Sequence, residues 1–434
     1  MKHLKVSQWI ALLLAMTLLC LSVGCGAEKE KNSYDDSNNL MKNIKPVKQG
    51  QEDEECDCAP VEPETLHAGV TDFAVRLFQH CLEEEKNTLV SPVSVLTALA
   101  MTANGAEGET LSQMETVFGI PVQELNGYIR DYMAQLPEED TYKLSMANSI
   151  WFIDDEQLFQ VNPEFLQTNA NYYGADVYKA PFDETTLEEI NGWVNHKTDE
   201  MIPTILDRIP EDAIMYLVNA LAFDAKWQEP YEEFQVREGK IFTLEDGTET
   251  EVTMMNSEEF SYLEDELATG FIKYYDDQAY AFVALLPNEG VSVAEYVSSL
   301  TGEHLRKMLA SPEGLPVFAS MPKFESEYDV EMSDILEEMG MPNAFDAQLA
   351  EFPHIGTVSD GLNIVISRVI HKTFISVSET GTRAGAATVV EMRAEGAMEI
   401  VDYKEVTLDR PFVYMLIDCE NNIPLFIGST MTVE

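Results

Sequence analysis

The chain has 434 residues, 45% hydrophobic and 9% aromatic, enough for a sizeable core in one large domain or two ordinary ones. Its 77 acidic residues against 27 basic ones leave a formal net charge of −50. A surface of that sign repels phosphate backbones and anionic headgroups, which argues against nucleic acid and polyanionic cofactors as partners.

Residues 1–25 have the form of an export signal. Lys2 and Lys5 precede an apolar run, residues 9–21, that is too short to span a bilayer well. The run ends in Ser22-Val23-Gly24-Cys25, which resembles a bacterial lipobox, with Cys25 acylated after cleavage. Ser22 stands where that motif usually carries Leu or Val, so ordinary secretion stays open beside lipid anchoring. Either route predicts an extracytoplasmic protein, held to a membrane only through the N-terminal lipid. Residues 26–65 are polar, charged and nearly free of aromatics, and read as a disordered acidic tether. A flexible coil of that length reaches about 35 Å. Within it, Cys56-x-Cys58 lacks both a two-residue gap and a second pair, so it reads as incidental or as a local disulfide.

The body is predicted to run from residue 66 to 434 as one domain, without internal repeats. Val70, Phe73, Leu77 and Cys81 recur at helical spacing within residues 66–86 and predict an amphipathic helix with a buried stripe. Ser91 as N-cap and Pro92 at the first helical position open a second helix within residues 87–119. Residues 144–152, LSMANSIWF, alternate and read as a strand. Residues 279–287, AYAFVALLP, have the unbroken apolarity of a strand covered on both faces, and 362–370 and 410–417 read the same way. Cys81 and Cys419, far apart and each in apolar context, read as buried thiols rather than a bridge.

Residues 379–400, ETGTRAGAATVVEMRAEGAMEI, lie between two of those apolar runs. Composition alone makes this stretch a small-residue linker. In an extended chain, alternate residues share a face, and Thr382, Ala384, Ala386, Thr388, Val390 and Met392 form one without a charge. Arg383, Glu391 and Arg393 all fall on the other face, and no proline interrupts the run. The pattern is that of a central strand with too little bulk to hold the state unaided.

The string Glu379-Thr380-Gly381-Thr382-Arg383-Ala384-Gly385-Ala386-Ala387-Thr388 resembles the proximal hinge of the serpins, the serine protease inhibitors. Residues 87–119, 161–182, 190–206, 216–231 and 321–345 are similar to serpin segments in the same order, so the resemblance covers roughly residues 66–434. It implies an α+β fold of three β-sheets and eight or nine helices, with an exposed reactive-centre loop at about 379–404. It implies a monomeric suicide inhibitor whose loop is cut by a serine protease, enters the central sheet and traps the acyl-enzyme. Ser91, Ser94, Asn219 and His371 match a family cluster beneath the point where that sheet parts. Trp227 stands with Asn219 at the family's spacing and counts with Lys323 in the same sheet-opening set, and Lys323 and Glu379 match a family pair that bridges the top of the sheet. The alternative within the family is a non-inhibitory carrier, but such members typically carry bulky, charged or proline residues on the inward hinge face.

The scissile bond has two readings. Seventeen residues from Glu379, the usual family length, places Glu395 before the bond and Gly396 after it. Counting back from the distal strand, residues 405–412, places Ile400 before it and Val401 after it. Ala394 suits an elastase-like pocket, Arg393 a trypsin-like one and Met398 a chymotrypsin-like one. The expectation is a cut between Arg393 and Met398 by an elastase- or subtilisin-like protease. No hydrolase, zinc-peptidase, phosphate-loop or dinucleotide motif occurs, so neither catalysis, a metal nor a cofactor is expected.

Overall fold

Three sheets and nine α-helices organise the described part of the chain. The computed structural model describes residues 38–47, 62–135, 142–155, 157–209, 213, 215–359, 363–382 and 403–433. Cys25, Cys56 and Cys58 lie outside them.

The largest sheet orders its strands β12 (Phe324–Glu331), β14 (Arg368–Val377), β15 (Gly381–Thr382), β5 (Met215–Lys226), β2 (Tyr142–Ile153) and β4 (Asp176–Ala180). A second, more apolar sheet runs β1 (Thr88–Val90), β18 (Ile423–Thr430), β17 (Phe412–Asp418), β10 (Tyr280–Pro287), β9 (Ala268–Tyr274) and β8 (Tyr262–Glu264). A third runs β16 (Lys404–Thr407), β11 (Val317–Pro322), β7 (Glu249–Glu259) and β6 (Val236–Thr243). To the three sheets expected, the structure adds a two-stranded pairing of β3 (Phe159–Val161) with β13 (Gly356–Val358).

Helix α1 (Pro63–Cys81) buries Val70, Phe73, Leu77 and Cys81, the stripe read from the sequence. Helix α2 (Pro92–Ala103) follows a Pro at its first turn and is buried on every side. An all-round apolar helix must be covered all round, and α2 packs against β5 and β2 of the first sheet and β18 of the second. Its threonine hydroxyls bond back one turn, Thr97 Oγ1 donating to Val93 O at 2.7 Å. Residues 87–119 hold two helices rather than one, because Gly105 and Gly108 break the run before α3 (Gly108–Phe118). Helices α4 (Val122–Gln135), α5 (Pro163–Tyr172) and α6 (Glu184–Lys197) follow. The Asp183 carboxylate caps α6 by accepting from Thr185 N at 2.9 Å. Helices α7 (Val293–Ser299), α8 (Gly302–Ala310) and α9 (Ser333–Met339) complete the set.

Three expectations need correction. Of the described residues of the apolar run expected at 362–370, those from Arg368 onward are strand. Ile364 and Ile366 are buried in irregular backbone, with Ile366 N donating to Ala344 O at 3.0 Å instead of to a ladder. Cys419 is only partly buried, whereas Cys81 is fully so, and burial pushes its thiol up to about 12. The stretch expected to be a disordered tether contains a docked segment. Leu40–Asn43 form a 3-10 turn, and Leu40, Met41 and Ile44 pack against the core. Asn39 bridges to Tyr178 on β4, and its amide donates to Asp176 Oδ1 at 2.9 Å. Gln167 Nε2 donates to Lys45 O, and Val47 N to Asn171 Oδ1, both at 3.0 Å. Three apolar residues on one short turn are enough to hold it, and segment-wide composition averages them out. The segment covers β4, an edge strand of the largest sheet.

Candidate functional site

Three neighbouring strands place polar side chains in one row across the largest sheet. Asn148 on β2 is in register with Asn219 on β5, and Asn219 with His371 on β14. His371 is completely buried. Its Nε2 accepts from the Ser91 backbone N–H at 3.1 Å, so the ring proton sits on Nδ1 and is donated to Asn219 Oδ1 at 2.9 Å. The Asn219 amide donates to Ser94 O at 2.6 Å and to Asn148 Oδ1 at 2.5 Å. Burial holds the imidazole neutral, its pKa lowered to about 3. One row of side chains therefore ties β2, β5 and β14 to the N-terminal turn of α2. The tie is made of exchangeable hydrogen bonds, where apolar packing would resist separation everywhere.

The four residues expected here do come together, but Ser91 and Ser94 serve through their main chains. Ser91 occupies the N-cap position of α2 without a side-chain cap bond, and the two hydroxyls have no partner among the described residues. Asn148 was not singled out from the sequence. The available signal was a lone amide interrupting the alternate set Leu144, Met146, Ile150 and Phe152.

Above this row, β14 turns into β15 through Ser378–Thr380, and the turn is clasped by residues 227–231. Trp227 Nε1 donates to Ser378 O at 2.8 Å, Tyr231 N to Glu379 O at 2.8 Å and Trp227 N to Thr380 O at 3.1 Å. Three successive carbonyls are thus held from one side. Lys323 Nζ lies 3.0 and 3.2 Å from the two Glu379 carboxylate oxygens. Partial burial works to raise the Glu379 pKa, but hydrogen bonds and the Lys323 charge outweigh it and leave it below its usual value. The Trp227 indole stacks on Tyr275 with centroids 4.5 Å apart, and the buried Lys273 ammonium lies 5.5 Å from its ring and 2.8 Å from Glu259. Burial alone would lower the Lys273 pKa, yet Tyr231 and Glu259 hold it above its ordinary value.

Gly381 is required at the next step. A Cβ there would stand 2.1 Å from Ala225 O and 2.7 Å from Lys226 Cα, so only glycine lets the chain enter between the strands. Thr382 follows into the sheet, 1% exposed, paired with Val377 on one side and Ala225 on the other. Lower down, β14 and β5 pair directly and in parallel, from Arg368 with Tyr216 to Thr373 with Leu221. The two strands are joined below and parted at the top, with Gly381 and Thr382 in the mouth. Ala384, Gly385, Ala386, Ala387, Thr388, Arg393, Ala394, Glu395, Gly396, Met398 and Ile400 lie outside the described residues.

Comparison with known proteins matches this arrangement to one family. A family model described as serpin (serine protease inhibitor) matches residues 68–433. An uncharacterised serpin-like protein of Methanosarcina acetivorans is 31% identical over 369 residues, 82% of this chain and 84% of its own length. The leukocyte elastase inhibitor of Bos taurus is 28% identical over 382 residues, covering 84% of this chain and 98% of the relative. Among solved structures, the thermophilic serpin tengpin in its native state superposes with a TM-score of 0.83 at 44% identity, covering 91% of this chain and 99% of that one.

Proposed function

The chain belongs to the serpin family, and from that premise we propose that it inhibits serine proteases by a suicide-substrate mechanism. The supporting observation is the seating of Thr382, buried and paired on both sides at the top of a slot whose walls, β5 and β14, still pair below. The protease serine attacks a loop carbonyl, the amine leaves with the proton, and an ester joins the enzyme to the loop. Residues after Thr382 then enter between β5 and β14 with the uncharged set Ala384, Ala386, Thr388, Val390 and Met392 facing the core. Successive residues gain ladder bonds alternately to one edge and to the other. Water attack on the ester competes with that zipper, so a small, uncharged inward face favours trapping.

The same reading makes residues 1–25 a lipoprotein-type signal, the following stretch a tether carrying the docked segment, and residues 66–434 a monomeric inhibitor at the cell surface. Targets are proteases of elastase or subtilisin type, cutting between Arg393 and Met398. The test is a denaturing gel of the mature chain mixed with such a protease, followed by mass spectrometry of the released C-terminal peptide. An adduct at the combined mass that survives denaturant supports the reading. Complete cleavage without an adduct overturns it, and a released peptide starting at or after Val401 moves the cut to the distal position.

A further inference from the structure

The third sheet carries an aromatic patch where its edge strand emerges from the loop. Along β11, Val317 and Ala319 are buried, and Phe318 between them points outward, half exposed. Its ring stacks on Tyr403 with centroids 4.6 Å apart and an interplanar angle of 19°. Register puts Phe318 beside Glu258 of β7 and Glu405 of β16, and both carboxylates are exposed. Phe260, two residues beyond Glu258, is 65% exposed. The neighbouring cation, Lys404, is engaged by Glu264 at 3.2 Å and by the Tyr262 ring. The face therefore presents stacked rings with an acidic border and no free positive charge among these residues.

Resting on the inhibitory reading, we propose that this patch is a docking surface for the body of the target protease, one with arginine or lysine around its active-site cleft. Chain geometry limits the alternatives. Every candidate scissile residue from Arg393 to Ile400 is nearer along the chain to Tyr403 than to Thr382. At an extended rise of about 3.3 Å per residue, those residues lie within about 10–33 Å of Tyr403. A protease domain of about 200 residues is about 40 Å across, so an enzyme seated on the loop overhangs the end of this sheet. Guanidinium groups are the natural complement, because they stack on aromatic faces and pair with carboxylates at once. Acidic neighbours also speed the encounter with a cationic enzyme.

The test measures the second-order rate of loop attack, adduct plus cleaved product, by a cationic elastase on the full mature chain. The double variant Phe318→Ala, Tyr403→Ala should slow attack about tenfold, with the adduct-to-cleaved ratio unchanged because docking precedes insertion. Glu258→Gln with Glu405→Gln should slow it severalfold and flatten its dependence on salt. Rates within twofold of wild type for both variants would overturn the proposal. So would sedimentation showing that the patch pairs two copies of the chain. Patch-dependent attack that yields cleavage and no adduct would retain the docking surface and reject inhibition, whereas adduct formed at an unchanged rate would do the reverse.

Discussion

The Thr382 hydroxyl lies 2.6 Å from the hydroxyl of Tyr275, both groups fully enclosed. Tyr275 follows β9 of the second sheet and stacks on Trp227, whose indole holds the hinge turn. The first residue of the uncharged alternate set is therefore already bonded into the core.

Thr382→Arg should turn the inhibitor into a substrate. An unpaired charge at this buried position costs several kcal/mol, so insertion stalls and the ester hydrolyses. Loop cleavage at a normal rate with adduct reduced at least about 100-fold is the expected result. Adduct formed as in the wild type would show that trapping does not require this position to sit in the sheet.

His371 predicts an acid-sensitive sheet. Its folded pKa is about 3, below the ordinary value of 6.5, so the unfolded chain binds the extra proton. The stability it contributes is full above pH 6.5 and is lost as pH falls from there towards 3. The slope approaches about 1.4 kcal/mol per pH unit. Unfolding measured from pH 7 to pH 5 should show that slope in the wild type and lose it in His371→Gln. Parallel curves for the two proteins would remove His371 from the account.

The Lys323 and Glu379 pair is partly exposed, and such pairs contribute about 0–1 kcal/mol to stability. Lys323→Ala should barely move Tm. It should, however, speed annealing of a synthetic peptide of the loop sequence into the sheet, because the pair ties the turn after β14 to the residue joining β11 and β12. A large loss of Tm with no change in annealing would make the pair structural rather than gating.

The docked segment should be worth measurable stability. Deleting residues up to Val47 removes the apolar contacts of Leu40, Met41 and Ile44, about 1 kcal/mol each for partial burial. Asn39→Ala alone should cost about 1 kcal/mol. It leaves Asp176 its bonds to Trp193 and Lys197. Chemical denaturation of the three proteins checks the order, and equal midpoints would mean that the segment is idle.

Much of the core was legible because long apolar runs leave few choices: β10 is buried at all eight positions, as AYAFVALLP implies. Of the uncharged alternate set read at the hinge, Thr382 is the described member, and it is buried in the sheet as its parity implies. Lys273 was not, because a lysine in a strand reads as an outward residue until Glu259 and two aromatic rings close over it. Nor was Asn148, whose bonding partner lies 71 residues away on another strand. Ile366 shows the converse, since burial does not require a ladder when a single bond holds the backbone N–H.

Strand insertion is most directly tested by the melting temperature before and after a single cut in the loop. If β5 and β14 accept a new strand, the cut chain gains two ladders and a buried face, and the intact chain is held short of its free-energy minimum by a kinetic barrier. Tm should rise by tens of degrees in the cleaved protein, with both fragments still associated. A Tm that is unchanged or lower after the cut would contradict it.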